Sequence, residues 1–159
     1  MGEDLRVDSI EAFWQEYLDT LPPDSPARGE SYDAESFGDS PEIADELSTL
    51  VVSGTKTATC SALWEWEDAC LPEPGAQCVV LDGREEPLSI IETTEAEVRP
   101  YNEVDARFAY EEGEGDRSLQ HWGDEHWRFF TRSLAEIGKE PKPEMPLVCE
   151  RFQATYSID

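Results

Sequence analysis

Ser53-Gly54-Thr55-Lys56-Thr57-Ala58-Thr59 is the stretch on which the reading of this chain turns. Just upstream, Ser40-Pro41 is a helix start, with Ser as the N-cap and Pro at the first position. Ile43, Leu47, Leu50 and Val51 then recur at the spacing of one helix face, and Gly54 is a natural C-terminal stop. Downstream, Thr55 to Trp64 is rich in Thr, Ala and aromatic residues and predicts a strand. A lysine at such a junction carries weight, because the chain holds only three: Lys56, Lys139 and Lys142. On an ideal strand the odd offset points Lys56 and Thr59 to opposite faces, and the residues alone favour a solvated lysine and a strand-forming threonine. If the Gly54 turn lets Lys56 leave the strand line, both face one cleft, and that convergence is our expectation. In a Thr-rich strand opening, truncating either residue is expected to cost little packing.

Toward the N-terminus, Asp8-Ser9-Ile10-Glu11 has the form of a capping box. Ile10, Phe13, Trp14, Tyr17, Leu18 and Leu21 follow as an amphipathic helix that Pro22-Pro23 stops. Residues 22–40 are rich in Pro, Gly, Ser and Asp and predict a long surface loop that wraps the body or lids a site. Toward the C-terminus, a loop over 65–76 precedes strands at Gln77–Leu81 and Pro87–Val98, with Asp82-Gly83 as the turn between them. A short helix at Asn102–Glu111 turns Val104, Phe108 and Ala109 inward. The acidic run Glu111-Glu112-Gly113-Glu114-Gly115-Asp116 interrupts before a helix over Ser118–Ile137, built on Leu119, Trp122, Trp127, Phe130 and Leu134. Leu147–Tyr156 alternates as a closing strand. Strands and helices do not alternate as in a doubly wound sheet, so the reading is α+β: a small β-barrel flanked by helices, with an extra N-terminal helix. Residues 1–40 form a helix and loop packing on the core, and 41–159 form the main domain.

At 159 residues with 38% hydrophobic composition, one globular domain is expected. Thirty-seven Asp and Glu against 12 Lys and Arg give a net charge of −25. Such a surface repels phosphate and gains little from counterion release, which argues against a long nucleic-acid groove. Cys60, Cys70, Cys78 and Cys149 form no C-x-x-C pair and read as reduced core or edge residues. His121 and His126, five apart, do not share a helix face as a zinc pair does and read as structural or surface residues. The acidic run lacks the calcium-loop pattern, and in the plainer reading Asp116 or Ser118 caps the helix that follows. Neither a metal nor a cofactor is expected. No membrane-length apolar run is present, and Met1–Arg6 does not open a signal peptide, so a cytoplasmic protein with no membrane partner is expected.

From about Glu46 to Tyr156 the chain resembles the ASCH superfamily, whose fold is a PUA-like β-barrel flanked by helices. The resemblance rests on Gly54-Thr55-Lys56-Thr57-Ala58-Thr59, Leu71-Pro72-Glu73-Pro74-Gly75 leading into Val79-Val80-Leu81-Asp82-Gly83, and Ile90-Ile91-Glu92-Thr93-Thr94. It continues through Phe108-Ala109-Tyr110-Glu111-Glu112-Gly113-Glu114-Gly115-Asp116, with Ser118-Leu119 and Trp122, and closes with Val148-Cys149-Glu150-Arg151-Phe152. The longer bacterial subgroup, which has an extra N-terminal helix, is the most similar. Some ASCH proteins remove acyl groups from N4 of cytidine with a Lys, a Thr three residues later and a Glu before the last helix. The resemblance implies Lys56, Thr59 and Glu112 in those roles, with Glu114 in reserve as catalytic or substrate-binding carboxylate. Two versions of the chemistry follow: neutral Lys56 activates Thr59, or Glu112 activates water or Thr59 while Lys56⁺ stabilises the oxyanion. Other members are linked to RNA binding or RNA processing, which is the alternative reading. A small nucleoside is the expected partner, and weak RNA binding is expected of so acidic a chain.

Overall fold

The structure, a computed structural model, describes residues 2–66 and 71–158, with the side chains of residues 2–8 left aside. Cys70 therefore lies outside the described residues. The elements in order are α1 (Gly2–Asp19), β1 (Asp33–Ser36), α2 (Pro41–Val52), β2 (Ala58–Ala62), β3 (Gln77–Leu81), β4 (Pro87–Pro100), α3 (Ala106–Glu112), α4 (Leu119–Ala135) and β5 (Pro146–Ser157). The strands are ordered β1-β3-β4-β5-β2. The α+β class is met. The chain divides into two compact units, one of residues 1–54, 75–92 and 153–159, the other of 55–74 and 93–152, and the long strands β4 and β5 contribute to both.

In the first unit, Phe13, Trp14, Tyr17 and Leu18 of α1 are buried with Val79, Leu81 and Ile90 of the sheet. The predicted apolar face of α1 is thus the face that packs. The helix begins at Gly2, upstream of the expected capping box, so residues 8–11 lie within it. At its C-terminus Arg28 Nη2 donates to Leu18 O at 2.8 Å and to Leu21 O, just past the helix, at 2.9 Å. The expected loop over 22–40 is corrected by β1, which pairs in parallel with β3 from Asp33↔Cys78 to Ser36↔Leu81. All four residues of β1 are exposed. An edge strand with no buried face, held by its backbone ladder and a Ser36 Oγ–Asp82 O bond of 3.3 Å, carries no alternation for sequence reasoning to find. Helix α2 starts as expected, with Ser40 Oγ accepting from Ile43 N at 3.2 Å. It buries Ala44, Leu47, Ser48 and Val51, while Ile43 and Leu50 are only half-buried.

The second unit has its own core. Ala58 and Ala62 of β2, Phe108 and Ala109 of α3, Trp122, Phe130 and Leu134 of α4, and Leu147 and Cys149 of β5 pack together there. β2 pairs antiparallel with β5, placing Thr59 opposite Glu150 and Cys60 opposite Cys149. Ala58, Cys60 and Ala62 all contact the core, so the two-residue period of the strand turns Thr59 and Ser61 to the other face.

Candidate active site

Two backbone segments make the site, and both are shaped by a glycine at positive φ. Gly54, at φ 82°, ends α2 and redirects the chain toward Lys56. Gly113, at φ 76°, caps α3 just after Glu112, and a Cβ there would lie 2.6 Å from Thr55 O. The segments are then tied together: Thr57 N donates to Glu111 O at 2.8 Å, and Arg117 Nη2 donates to Thr55 O at 3.3 Å. This close approach delivers Lys56 to the end of α3.

Lys56 is not the solvated charge that the residues alone suggested. It is 1% exposed, and its Nζ donates to Glu112 Oε1 at 3.1 Å, Glu114 Oε2 at 3.0 Å and Ala58 O at 2.9 Å. Glu112 O lies at 3.4 Å as well, so the ammonium also neutralises the negative end of α3. Every N–H of an ammonium has an acceptor here. Burial pulls the Lys56 pKa down, but the two carboxylates outweigh it and raise it above the ordinary lysine value. Two carboxylates around the ammonium favour the cation, so this arrangement suits the version of the chemistry that uses Lys56⁺.

Glu112 is equally buried, and α4 completes its surroundings. Trp122 and His126, one turn apart and with stacked rings 4.4 Å between centroids, both face Glu112 Oε2. Trp122 Nε1 donates to that oxygen, and His126 Nε2 lies 3.4 Å from it. His126 Nδ1 lies 2.8 Å from Trp122 O, a carbonyl that can only accept. Both ring nitrogens therefore face pure acceptors, and the ring satisfies both only as imidazolium. Burial favours its neutral form, yet the charge and hydrogen bond of Glu112 raise its pKa above the ordinary histidine value. Burial likewise pushes Glu112 up, but the charges of His126 and Lys56 and the hydrogen bonds of His126 and Trp122 hold it far below the carboxylate range.

These shifts have opposite signs in a titration. The His126 contribution to stability is fully present below the unfolded value of about 6.5 and is lost as pH rises through the higher folded value. The Glu112 contribution is present above the unfolded value of about 4.3 and is lost as pH falls through its depressed folded value. With a chelator present, His126→Gln is expected to lower stability more at pH 6 than at pH 9 in urea unfolding. Equal losses at the two pH values would mean that the ring is neutral in the folded protein.

The structure thus brings Lys56, Glu112 and Glu114 together, and Glu114, with its side chain 25% exposed, is the carboxylate nearer solvent. It does not bring Thr59 to them. The expected convergence of Lys56 and Thr59 on one cleft is not seen, because β2 keeps its regular period from Ala58 to Ala62. Among the described residues, no hydrogen bond links the half-buried Thr59 side chain to the three. Sequence reasoning missed His126 by comparing it with His121; the informative spacing was Trp122 to His126. It also passed over Cys60, whose Sγ lies within 4.8 Å of the Glu112 and His126 ligand atoms. Burial and then the Glu112 charge push the Cys60 thiol well up, so it stays protonated and is no ready nucleophile.

The fold is α+β with a PUA-like sheet, and its candidate site is a buried lysine clasped by two carboxylates. The chain belongs to the ASCH domain family, whose model matches residues 33–156. An ASCH domain from Lactobacillus crispatus JV V101 is 32% identical, with a TM-score of 0.89 over 94% of this chain and 95% of that one. A protein from Enterococcus faecalis V583 is 40% identical, with a TM-score of 0.83 over 95% of this chain and 90% of that one. No curated protein matches the chain. Among the described residues, no helix is long and apolar enough to cross a membrane.

Proposed function

We propose that the protein is an amidohydrolase that removes the acyl group from N4 of an acylated cytosine nucleoside such as N4-acetylcytidine. The observation that carries this reading is the charged Lys56 bridging a fully buried Glu112 and a partly exposed Glu114. Glu112 and the Ala58 carbonyl hold Lys56 in place. Glu114 is the carboxylate available to take a proton from water. The water oxygen then attacks the acyl carbon; as Glu114 takes the proton it gives up the Lys56 N–H it had accepted, and that N–H turns to the developing oxyanion. Collapse of the tetrahedral intermediate breaks the C–N bond, and the proton held by Glu114 passes to the departing N4 amine. The products are cytidine and the free carboxylate. The ASCH resemblance assigns attack to Thr59, but strand alternation favours water.

The acidic surface suits an uncharged nucleoside better than RNA. Arg28, Arg99, Arg107, Arg117, Arg128 and Arg151 already hold the chain's own carboxylates or carbonyls, leaving few cations for phosphate. The purified protein is expected to convert N4-acetylcytidine to cytidine, followed by the change in ultraviolet absorbance. No conversion at micromolar enzyme over hours would exclude this substrate class.

A further inference from the structure

We propose that Cys60, Glu112 and His126 form a binding site for a divalent transition metal, with zinc as the best-suited ion. The proposal does not rest on the hydrolase reading. The three ligand atoms lie within 4.8 Å of one another, and they come from three separate elements, β2, α3 and α4. Glu112 Oε2 and His126 Nε2 are 3.4 Å apart. With bonds of about 2.0 Å to each, that separation subtends roughly 115° at a metal, close to the tetrahedral angle that zinc takes. Thiolate, imidazole and carboxylate together form a donor set that suits zinc and leaves a fourth position for water.

The surroundings are those of a built site. A metal-binding histidine commonly fixes its tautomer by donating its second N–H to a carbonyl, and His126 Nδ1 already meets Trp122 O at 2.8 Å. Nε2 is thereby the nitrogen directed at the other two ligands. Glu112 is oriented in the same way, with Oε1 held by Lys56 and Oε2 by Trp122. Lys56 bonds the oxygen that the metal would not use, so its ion pair survives binding. Cys60 and His126 are half-buried and Glu112 is fully buried, so a bound ion would be largely shielded from bulk water.

The exchange balances. The protonated imidazole, the carboxylate and the thiol carry no net charge together. A divalent cation with neutral imidazole, carboxylate and thiolate carries none either. Two protons leave as one metal enters, one from His126 Nε2 and one from Cys60 Sγ. A buried cluster with no change in net charge needs no new counter-ion.

Cobalt(II) added to the chelator-treated full chain reads the site directly. The expected result is one equivalent bound, with a near-ultraviolet sulfur-to-cobalt charge-transfer band and the visible bands of a tetrahedral ion. Cys60→Ser should remove the charge-transfer band, His126→Gln should weaken binding at least tenfold, and Cys149→Ser should leave both unchanged. Circular dichroism checks folding, and if Cys60→Ser does not fold, His126→Gln decides. Absence of a sulfur-to-cobalt band, or its persistence at full strength in a folded Cys60→Ser, would overturn the proposal. So would unchanged affinity in His126→Gln.

Discussion

Lys56→Met should destabilise the protein by about 3–5 kcal/mol, the usual loss when one partner of a buried ion pair is removed. For a chain of this size that corresponds to a drop of roughly 6–20 °C in melting temperature. The cause is not lost packing, since methionine fills much the same volume, but the carboxylate left behind. Glu112 would keep His126 and Trp122 but lose the ammonium on Oε1, and the last carbonyl of α3 would lose its cation. The double variant Lys56→Met/Glu112→Gln should recover part of the loss, because it removes the orphaned charge. Urea unfolding of the three proteins measures both effects. A Lys56→Met protein as stable as wild type would show that the lysine is not buried as an ion. The expectation drawn from sequence, that truncation here costs little, is reversed by the burial of Lys56.

Glu114→Gln should lower kcat for N4-acetylcytidine by about 10²–10⁴-fold, the range a general base contributes. The fold should survive, because Glu114 is partly exposed and Lys56 keeps Glu112 and the Ala58 carbonyl. Thr59→Ala should hold kcat within about tenfold of wild type, since its side chain points to the face of β2 away from Cys60 and the core. The two substitutions therefore separate water attack from attack by threonine. Loss of turnover in Thr59→Ala with activity kept in Glu114→Gln would restore Thr59 as the nucleophile. Glu112→Gln is a less useful probe, because a fall in rate there mixes chemistry with the stability of the buried pair.

Much of the fold could be read from local chemistry. The Ser40-Pro41 start of α2, the apolar face of α1, that of α4 apart from the exposed Leu119, and strands β3, β4 and β5 were legible, because each is written in caps or periodicity. The lysine at the helix-to-strand junction stood out by rarity, and the acidic run by its resemblance to ASCH proteins. Strand β1 was not legible, since all four of its residues are exposed and carry no apolar alternation. The protonation state of Lys56 was not legible either. In a chain of net charge −25 many carboxylates compete for any lysine, and sequence cannot tell which are desolvated beside it.

The sequence by itself determined the elements other than β1, the family resemblance and the two segments from which the site is made. The tertiary structure decided which side chains share one desolvated space. The close approach of Gly113 to Thr55 carries Lys56 to the end of α3, and the Trp122–His126 turn of α4 closes over Glu112. The regular period of β2 brings Cys60 inward and turns Thr59 outward. The physical reason is that ion pairing, protonation and ligand geometry depend on distances between atoms far apart in the chain. Periodicity and propensity are local and carry no record of those distances.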